Sequence, residues 1–190
     1  MIEKIQANIE EHRQVIGQLT DEHFETIAEI AEAIVRSVQA GGKVLLAGNG
    51  GSAADAQHVA GEFIGRFLYD RRPLPAIALS SDTSVLTCVG NDYGFDQVFV
   101  RQVDALVRPG DVFWGFSTSG NSPNVVEAAK RAKACGAVVA AFTGRGGGKL
   151  GGVADLCLAV PADRTNRIQE AHMLAYHIIC QLIEEKLCPR

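Results

Sequence analysis

Five short apolar runs, separated by helix-length amphipathic stretches, predict a three-layer α/β/α sandwich around a central parallel five-stranded sheet, with an N-terminal helical extension. Two further observations support this class. The runs are apolar at consecutive rather than alternate positions, as strands buried on both faces are. Loops rich in Gly, Ser and Asn follow two of them, where a doubly wound, flavodoxin- or Rossmann-like sheet binds ligands near its topological switch point.

The chain opens with two charged amphipathic segments, Ile2 to Leu19 and Asp21 to Ala40. The second places Phe24, Ile27, Ile30, Ala31, Ile34 and Val35 at the three-and-four spacing of a helix with one buried face, and Gly41-Gly42 ends it. Strands are predicted over residues 43–48, 76–80, 111–117, 138–142 and 156–160. Helical patterns lie between them, near residues 52–68, 96–107 and 123–135, and a last long one covers about 165–187. The glycine-rich piece Gly144 to Lys149 reads as a loop. No repeat and no low-complexity linker divides the chain, so residues 1–190 read as one domain.

The composition, 47% hydrophobic and 21% charged, is that of a globular protein and excludes disorder. A net charge of −4 argues against nucleic acid or an anionic membrane surface as a partner, so any phosphate must be held by local geometry. The first turn is charged, unlike a signal peptide, and no apolar run approaches the ~18–20 residues of a membrane span. Five cysteines without a C-x-x-C pair point to a reducing cytoplasm rather than to disulfides or a structural zinc site.

Gly48-Asn49-Gly50-Gly51-Ser52 follows the first strand and opens a helix, with Ser52 and Asp55 spaced as a capping pair. Glycines there let backbone amides approach an anion at the helix start. The same loop, as Gly48-x-Gly50-x-x-Ala53, also fits a dinucleotide fingerprint, but that needs an acidic residue ending the next strand. Asp70 precedes that strand and Asp82 lies late, so the anion reading is preferred. The second loop, Ser117-Thr118-Ser119-Gly120-Asn121-Ser122, brings several hydroxyls to a helix start, with Ser122 as cap and Pro123 at the first helical position. Neutral donors with backbone amides suit a monophosphate.

His58 and Glu62 are four residues apart on the helix opened by Ser52, and therefore share a face. On the last helix Gln169, Glu170, His172, Tyr176 and His177 form a polar set amid apolar neighbours. A carboxylate and an imidazole are what proton transfer between adjacent carbons requires. Alternatively, His58, Glu62, Gln169 and His177 offer N and O ligands to a divalent metal such as zinc. Gln169 and His177 are eight positions apart, ~12 Å along one helix and ~80° apart around it. A site using both is therefore expected to be completed across a subunit interface.

Together these segments, with Gly90-Asn91-Asp92 and Arg167-Ile168-Gln169-Glu170, resemble the phosphoheptose isomerase (sedoheptulose 7-phosphate isomerase) family of the sugar isomerase (SIS) domain superfamily over nearly the whole chain. The resemblance implies substrate contacts from Asn49, Gly50, Gly51, Ser52, Glu62, Asn91, Asp92, Ser117, Thr118, Ser119, Ser122 and Gln169. It implies Glu62 as general base with His177 as its partner, and one Zn2+ per subunit on His58, Glu62, Gln169 and His177. It further implies a homotetramer with interface active sites, residues 1–40 serving oligomer packing, and a heptose 7-phosphate product destined for lipopolysaccharide or other surface glycans. The superfamily also holds non-catalytic members that bind a replication initiator or sense sugar phosphates. The initiator-binding relatives lack the paired Glu and His that this chain keeps. Departures at Gly65, Leu68 and Arg164-Thr165-Asn166 are expected to bear on substrate preference.

Overall fold

The computed structural model describes residues 1–189. Its elements are α1 (Ile2–Gly17), α2 (Asp21–Gln39), β1 (Val44–Ala47), α3 (Gly51–Ile64), β2 (Ala76–Ala78), α4 (Thr83–Tyr93), α5 (Val100–Leu106), β3 (Val112–Ser117), α6 (Pro123–Ala134), β4 (Val138–Thr143), α7 (Gly148–Val153), β5 (Leu156–Ala159) and α8 (Thr165–Leu187). The strands pair in parallel in the order β2-β1-β3-β4-β5. Chain progression reverses between β1 and β3, so the loops leaving these strands part there and open a crevice.

Every residue of β1 and β3 is buried, because helices cover both faces. Leu46, Trp114, Phe116 and Phe142 face α2, α3 and α8, whereas Leu45, Phe113, Val139 and Ala141 face α4, α5, α6 and α7. The predicted stripe of α2 is buried at Ile27, Ile30, Ala31, Ile34 and Val35, but Phe24 stays exposed. The helix starts with Thr20 and His23 as a capping box and stops before Gly41, whose φ of 85° suits glycine.

Three segments differ from the sequence reading. Helix α4 was not anticipated; Asp82 opens it by accepting a 3.0 Å hydrogen bond from the Val85 amide. The single predicted helix over 96–107 is a 3-10 turn, Phe95–Gln97, followed by the short α5. Within the glycine-rich loop, Gly148 begins α7, anchored by buried Leu150, whose amide donates to the Gly120 carbonyl at 2.8 Å.

Candidate active site

The loop after β1 turns on Gly50 (φ 55°), which is itself the N-cap of α3. Ser52 therefore does not cap the helix; it is buried in the first turn, under Gly48, where an added Cβ would lie 2.5 Å from the Ser52 carbonyl oxygen. Asp55 is buried as well and belongs to a different network, described below. Asn49 and Asn124 exchange two amide hydrogen bonds of 2.9 Å each, tying the first loop to the start of α6 across the crevice.

The loop after β3 brings its hydroxyls together as expected. Ser117 Oγ lies 2.9 Å from Ser122 Oγ and 3.5 Å from Ser119 Oγ, and the Ser122 amide donates to Ser117 Oγ at 3.4 Å. Ser122 is the N-cap position of α6 without a side-chain capping bond, because its hydroxyl turns to Ser117 instead. Thr118 is half-buried, and Pro123 occupies the first helical position. Hydroxyls that bond one another in the free protein can turn together to an anion at the α6 N-terminus.

Three of the residues predicted to handle protons or hold a metal, His58, Glu62 and His177, converge from α3 and α8. His58 Nε2 is 2.9 Å from Glu62 Oε1, and one ligand atom from each of His58, Glu62 and His177 lies within 4.8 Å of the others. The two imidazoles meet edge-on at 5.1 Å between centroids, and Phe67 stacks on His177 at 5.6 Å. Burial, with the His58 charge adding to it against Glu62, lowers the pKa of His177, which favours the neutral ring that a base or a metal ligand requires. Behind His58, its Nδ1 is 3.0 Å from the Tyr176 hydroxyl, which in turn is 3.5 Å from Asp55 Oδ1. Burial raises the Asp55 pKa to about 6, despite the opposing Tyr176 bond and His58 charge.

The other predicted residues separate clearly. Gln169 lies at the first loop: an added Cβ at Gly51 would be 2.5 Å from Gln169 Nε2. It sits two turns along the unbroken α8 from His177, so the separation expected from the sequence is kept. Asn91 and Asp92 are exposed near the end of α4, hydrogen-bonded to each other at 2.8 Å. His172 is a core residue whose Nε2 lies 3.0 Å from the Thr143 carbonyl oxygen, and burial lowers its pKa to about 4. Glu170 turns to α1 and pairs with His12 at 2.8 Å.

Sequence reasoning missed Asn124 and a buried ion pair beneath Glu62. The Arg71 guanidinium donates to Glu184 Oε1 at 3.0 Å and to the carbonyls of Phe63 and Glu62 at 2.7 Å each. Glu184 also accepts from the Phe67 and Leu68 amides at 3.0 and 2.7 Å. The last turn of α3, which carries Glu62, is thus held by side-chain donors.

A family model described as SIS domain matches residues 8–144. A curated phosphoheptose isomerase of Aquifex aeolicus is 50% identical over 190 residues, all of both chains, and one of Geobacter sulfurreducens is 51% identical over 189 residues, again spanning both. The solved phosphoheptose isomerase of Neisseria gonorrhoeae, 46% identical, superposes with a TM-score of 0.91 over 96% of this chain and 98% of that one. That of Francisella tularensis, 38% identical, gives 0.90 over 97% and 98%. The parallel-sheet fold, with its strand order reversing at the switch point, is thus shared with these solved relatives, and the chain belongs to the phosphoheptose isomerase family of SIS-domain proteins.

Proposed function

We propose that this enzyme interconverts D-sedoheptulose 7-phosphate and D-glycero-D-manno-heptose 7-phosphate by enediol-type proton transfer. The observation that carries this reading is the approach of Glu62, His58 and His177, with His58 hydrogen-bonded to Glu62 at 2.9 Å and one ligand atom of each of the three within 4.8 Å of the others. In this reading Ser117, Thr118, Ser119 and Ser122 bind the phosphate with the amides at the start of α6. Asn49, Gly50, Gly51 and Ser52 shape the opposite wall, and Asn91, Asp92 and Gln169 complete the sugar contacts. Glu62 removes a proton from C1 of the ketose, giving the enediol, and returns it to C2. His177 moves the accompanying proton between the two oxygens. A base and an acid so placed are worth ~100-fold or more each.

The donor set of His58, Glu62 and His177 fits a zinc ion, two imidazole nitrogens and a carboxylate oxygen being borderline ligands of its preferred kind. Gln169 would supply the fourth ligand from a neighbouring subunit. When bound, zinc would polarise the vicinal substrate oxygens. Glu62 and His177 cannot be ligands and free proton carriers at once, so substrate binding must then release one of these roles.

A homotetramer with interface sites is supported by apolar side chains exposed in rows on two helices: Ile2, Ile5 and Ile9 on α1, and Leu174, Ile178 and Leu182 on α8. Residues 1–40 would serve that packing. Cytoplasmic placement accords with five free cysteines and, among the described residues, no helix long and apolar enough to cross a membrane. The product would feed nucleotide-activated heptose synthesis for lipopolysaccharide or another surface glycan.

The test is turnover of sedoheptulose 7-phosphate by the purified protein beside Glu62→Gln and His177→Gln. Wild-type conversion with at least ~100-fold loss in each variant is expected. Binding of the sugar phosphate without turnover by the wild type would instead identify a sensor or adaptor and overturn the isomerase reading.

A further inference from the structure

Behind the Glu62–His58 pair lies a buried hydrogen-bonded chain that the proton-transfer chemistry does not itself use. Tyr176 is fully buried, and Asp55 is 7% exposed with its second carboxylate oxygen unpartnered among the described residues. A carboxylate deprived of water and holding one long hydrogen bond is costly to keep in a core. Its placement acquires a purpose from what Tyr176 does next.

The Tyr176 hydroxyl has one proton and, among the described residues, two hydrogen-bonding neighbours, His58 Nδ1 at 3.0 Å and Asp55 Oδ1 at 3.5 Å. The Glu62 carboxylate accepts, so with the site as it stands His58 carries a proton on Nε2. In the neutral ring Nδ1 is then an acceptor, and Tyr176 donates to it. A cation bound at Nε2 needs the other tautomer, with the proton on Nδ1. Nδ1–H then donates to the Tyr176 oxygen, and the tyrosine proton turns to Asp55. Without Asp55 that proton would have no acceptor on its far side.

We propose that Tyr176, backed by Asp55, is a positioning residue that fixes the ring orientation of His58 and supports the tautomer presenting Nε2 to a divalent cation held jointly with Glu62 and His177. This rests on reading that cluster as a cation site. Partners behind a ligating histidine typically account for ~10–100-fold in metal affinity. The indicated variant is Tyr176→Phe, which keeps the ring packed against Phe116 and His177 and deletes only the hydroxyl.

The experiment measures Zn2+ affinity of the full-length, metal-free protein by competition with a chromophoric chelator, for wild type, His58→Ala, Tyr176→Phe and Asp55→Asn. Melting of each metal-free protein is recorded alongside. The expected result is stoichiometric zinc in wild type, its loss in His58→Ala, and a ~10–100-fold weaker Kd in Tyr176→Phe, whose metal-free form still melts cooperatively though lower than wild type, because Asp55 loses its Tyr176 bond. Asp55→Asn should weaken binding by ~10-fold, since a neutral amide accepts less strongly than a carboxylate. Were Tyr176→Phe unable to fold, Asp55→Asn alone would decide. Wild-type affinity in the variants, with zinc lost in His58→Ala, would overturn the role of Tyr176 and Asp55 while leaving the cation site standing. Failure of the wild type to bind zinc would overturn both.

Discussion

Replacing Arg71 by Met keeps the aliphatic stem but removes the guanidinium from a pair whose side chains are only 4% and 1% exposed. Glu184 would keep its two backbone donors and lose its counter-charge, while the Glu62 carbonyl would lose its Arg71 donor and the Phe63 carbonyl would keep only the Leu74 amide at 2.9 Å. An uncompensated buried charge costs ~3–5 kcal/mol. The two remaining amide bonds reduce that cost, and the Glu62 carbonyl left without its Arg71 donor adds to it, leaving about 4 kcal/mol. A 190-residue chain unfolds with an entropy of roughly 0.4 kcal/mol/K, so the expected drop in Tm is about 10 °C at fixed protein concentration. Burial would raise the Glu184 pKa, but the Leu68 and Phe67 amides and Arg71 together hold it below the usual carboxylate value. The stability this group confers is therefore present above its unfolded pKa and lost as pH falls through the depressed folded one. The gap between wild type and Arg71→Met should accordingly narrow in acid, where Glu184 protonates in the variant. Thermal melting at neutral and acidic pH, with Arg71→Met/Glu184→Gln regaining part of the loss, checks the reasoning. A neutral-pH change below about 2 °C would refute it, since that corresponds to less than ~1 kcal/mol.

Other consequences are as direct. Burial lifts the folded pKa of Asp55 to about 6, above the ordinary carboxylate value of ~4, so the protonated form is favoured on folding and stability declines as pH rises between the two. The difference amounts to about 3 kcal/mol. Metal-free Asp55→Asn should thus melt above wild type at pH 7.5, with the difference vanishing below about pH 4; equal melting at pH 7.5 would contradict the burial argument. Gly120 has φ 65° and packs on the Gly147 carbonyl, leaving no room for a Cβ, so Gly120→Ala should displace the serine loop from α7. It is expected to cost ~1–3 kcal/mol and to weaken sugar-phosphate binding by calorimetry; unaltered binding would show the loop to be more compliant than its packing implies. Asn124→Ala breaks both bonds to Asn49 and should raise KM more than it lowers kcat, which steady-state kinetics would resolve.

The sheet was legible because burial on two faces leaves a strand with an unbroken apolar run, as in Val112-Phe113-Trp114. The helices that escaped notice lack the signals a periodicity argument needs. In α4, Thr, Ser, Val and Gly are weak helix formers, and Val89 is its one buried residue. Half of the six residues of α7 are glycine, and a tertiary contact to Gly120 rather than local preference holds it. The serine loop could be anticipated for the opposite reason: hydroxyls and Pro123 at a strand-to-helix junction act locally, within six residues.

The residues that touch a ligand in this reading are local motifs, but those that hold them in place are not. Asp55 meets Tyr176 across 121 positions, Arg71 meets Glu184 across 113, and Asn49 meets Asn124 across 75. No sequence period links such partners, and local rules drew Asp55 to a cap on Ser52 that the structure assigns to Gly50. His172 shows the converse: a histidine four residues from Tyr176 on the same helix, yet closed in the core against Phe142. What separates it from His177 is helical phase. A rotation of about 140° over five residues moves one imidazole under the sheet and the other onto the face that α3 shares. His58 and Glu62, four apart on α3, repeat on one face, and α8 meets them there through His177, with Tyr176 behind His58. The position of the His58–Glu62–His177 cluster is therefore set by the packing of α3 on α8, and the buried Arg71–Glu184 pair ties the end of α3 to α8 directly behind Glu62.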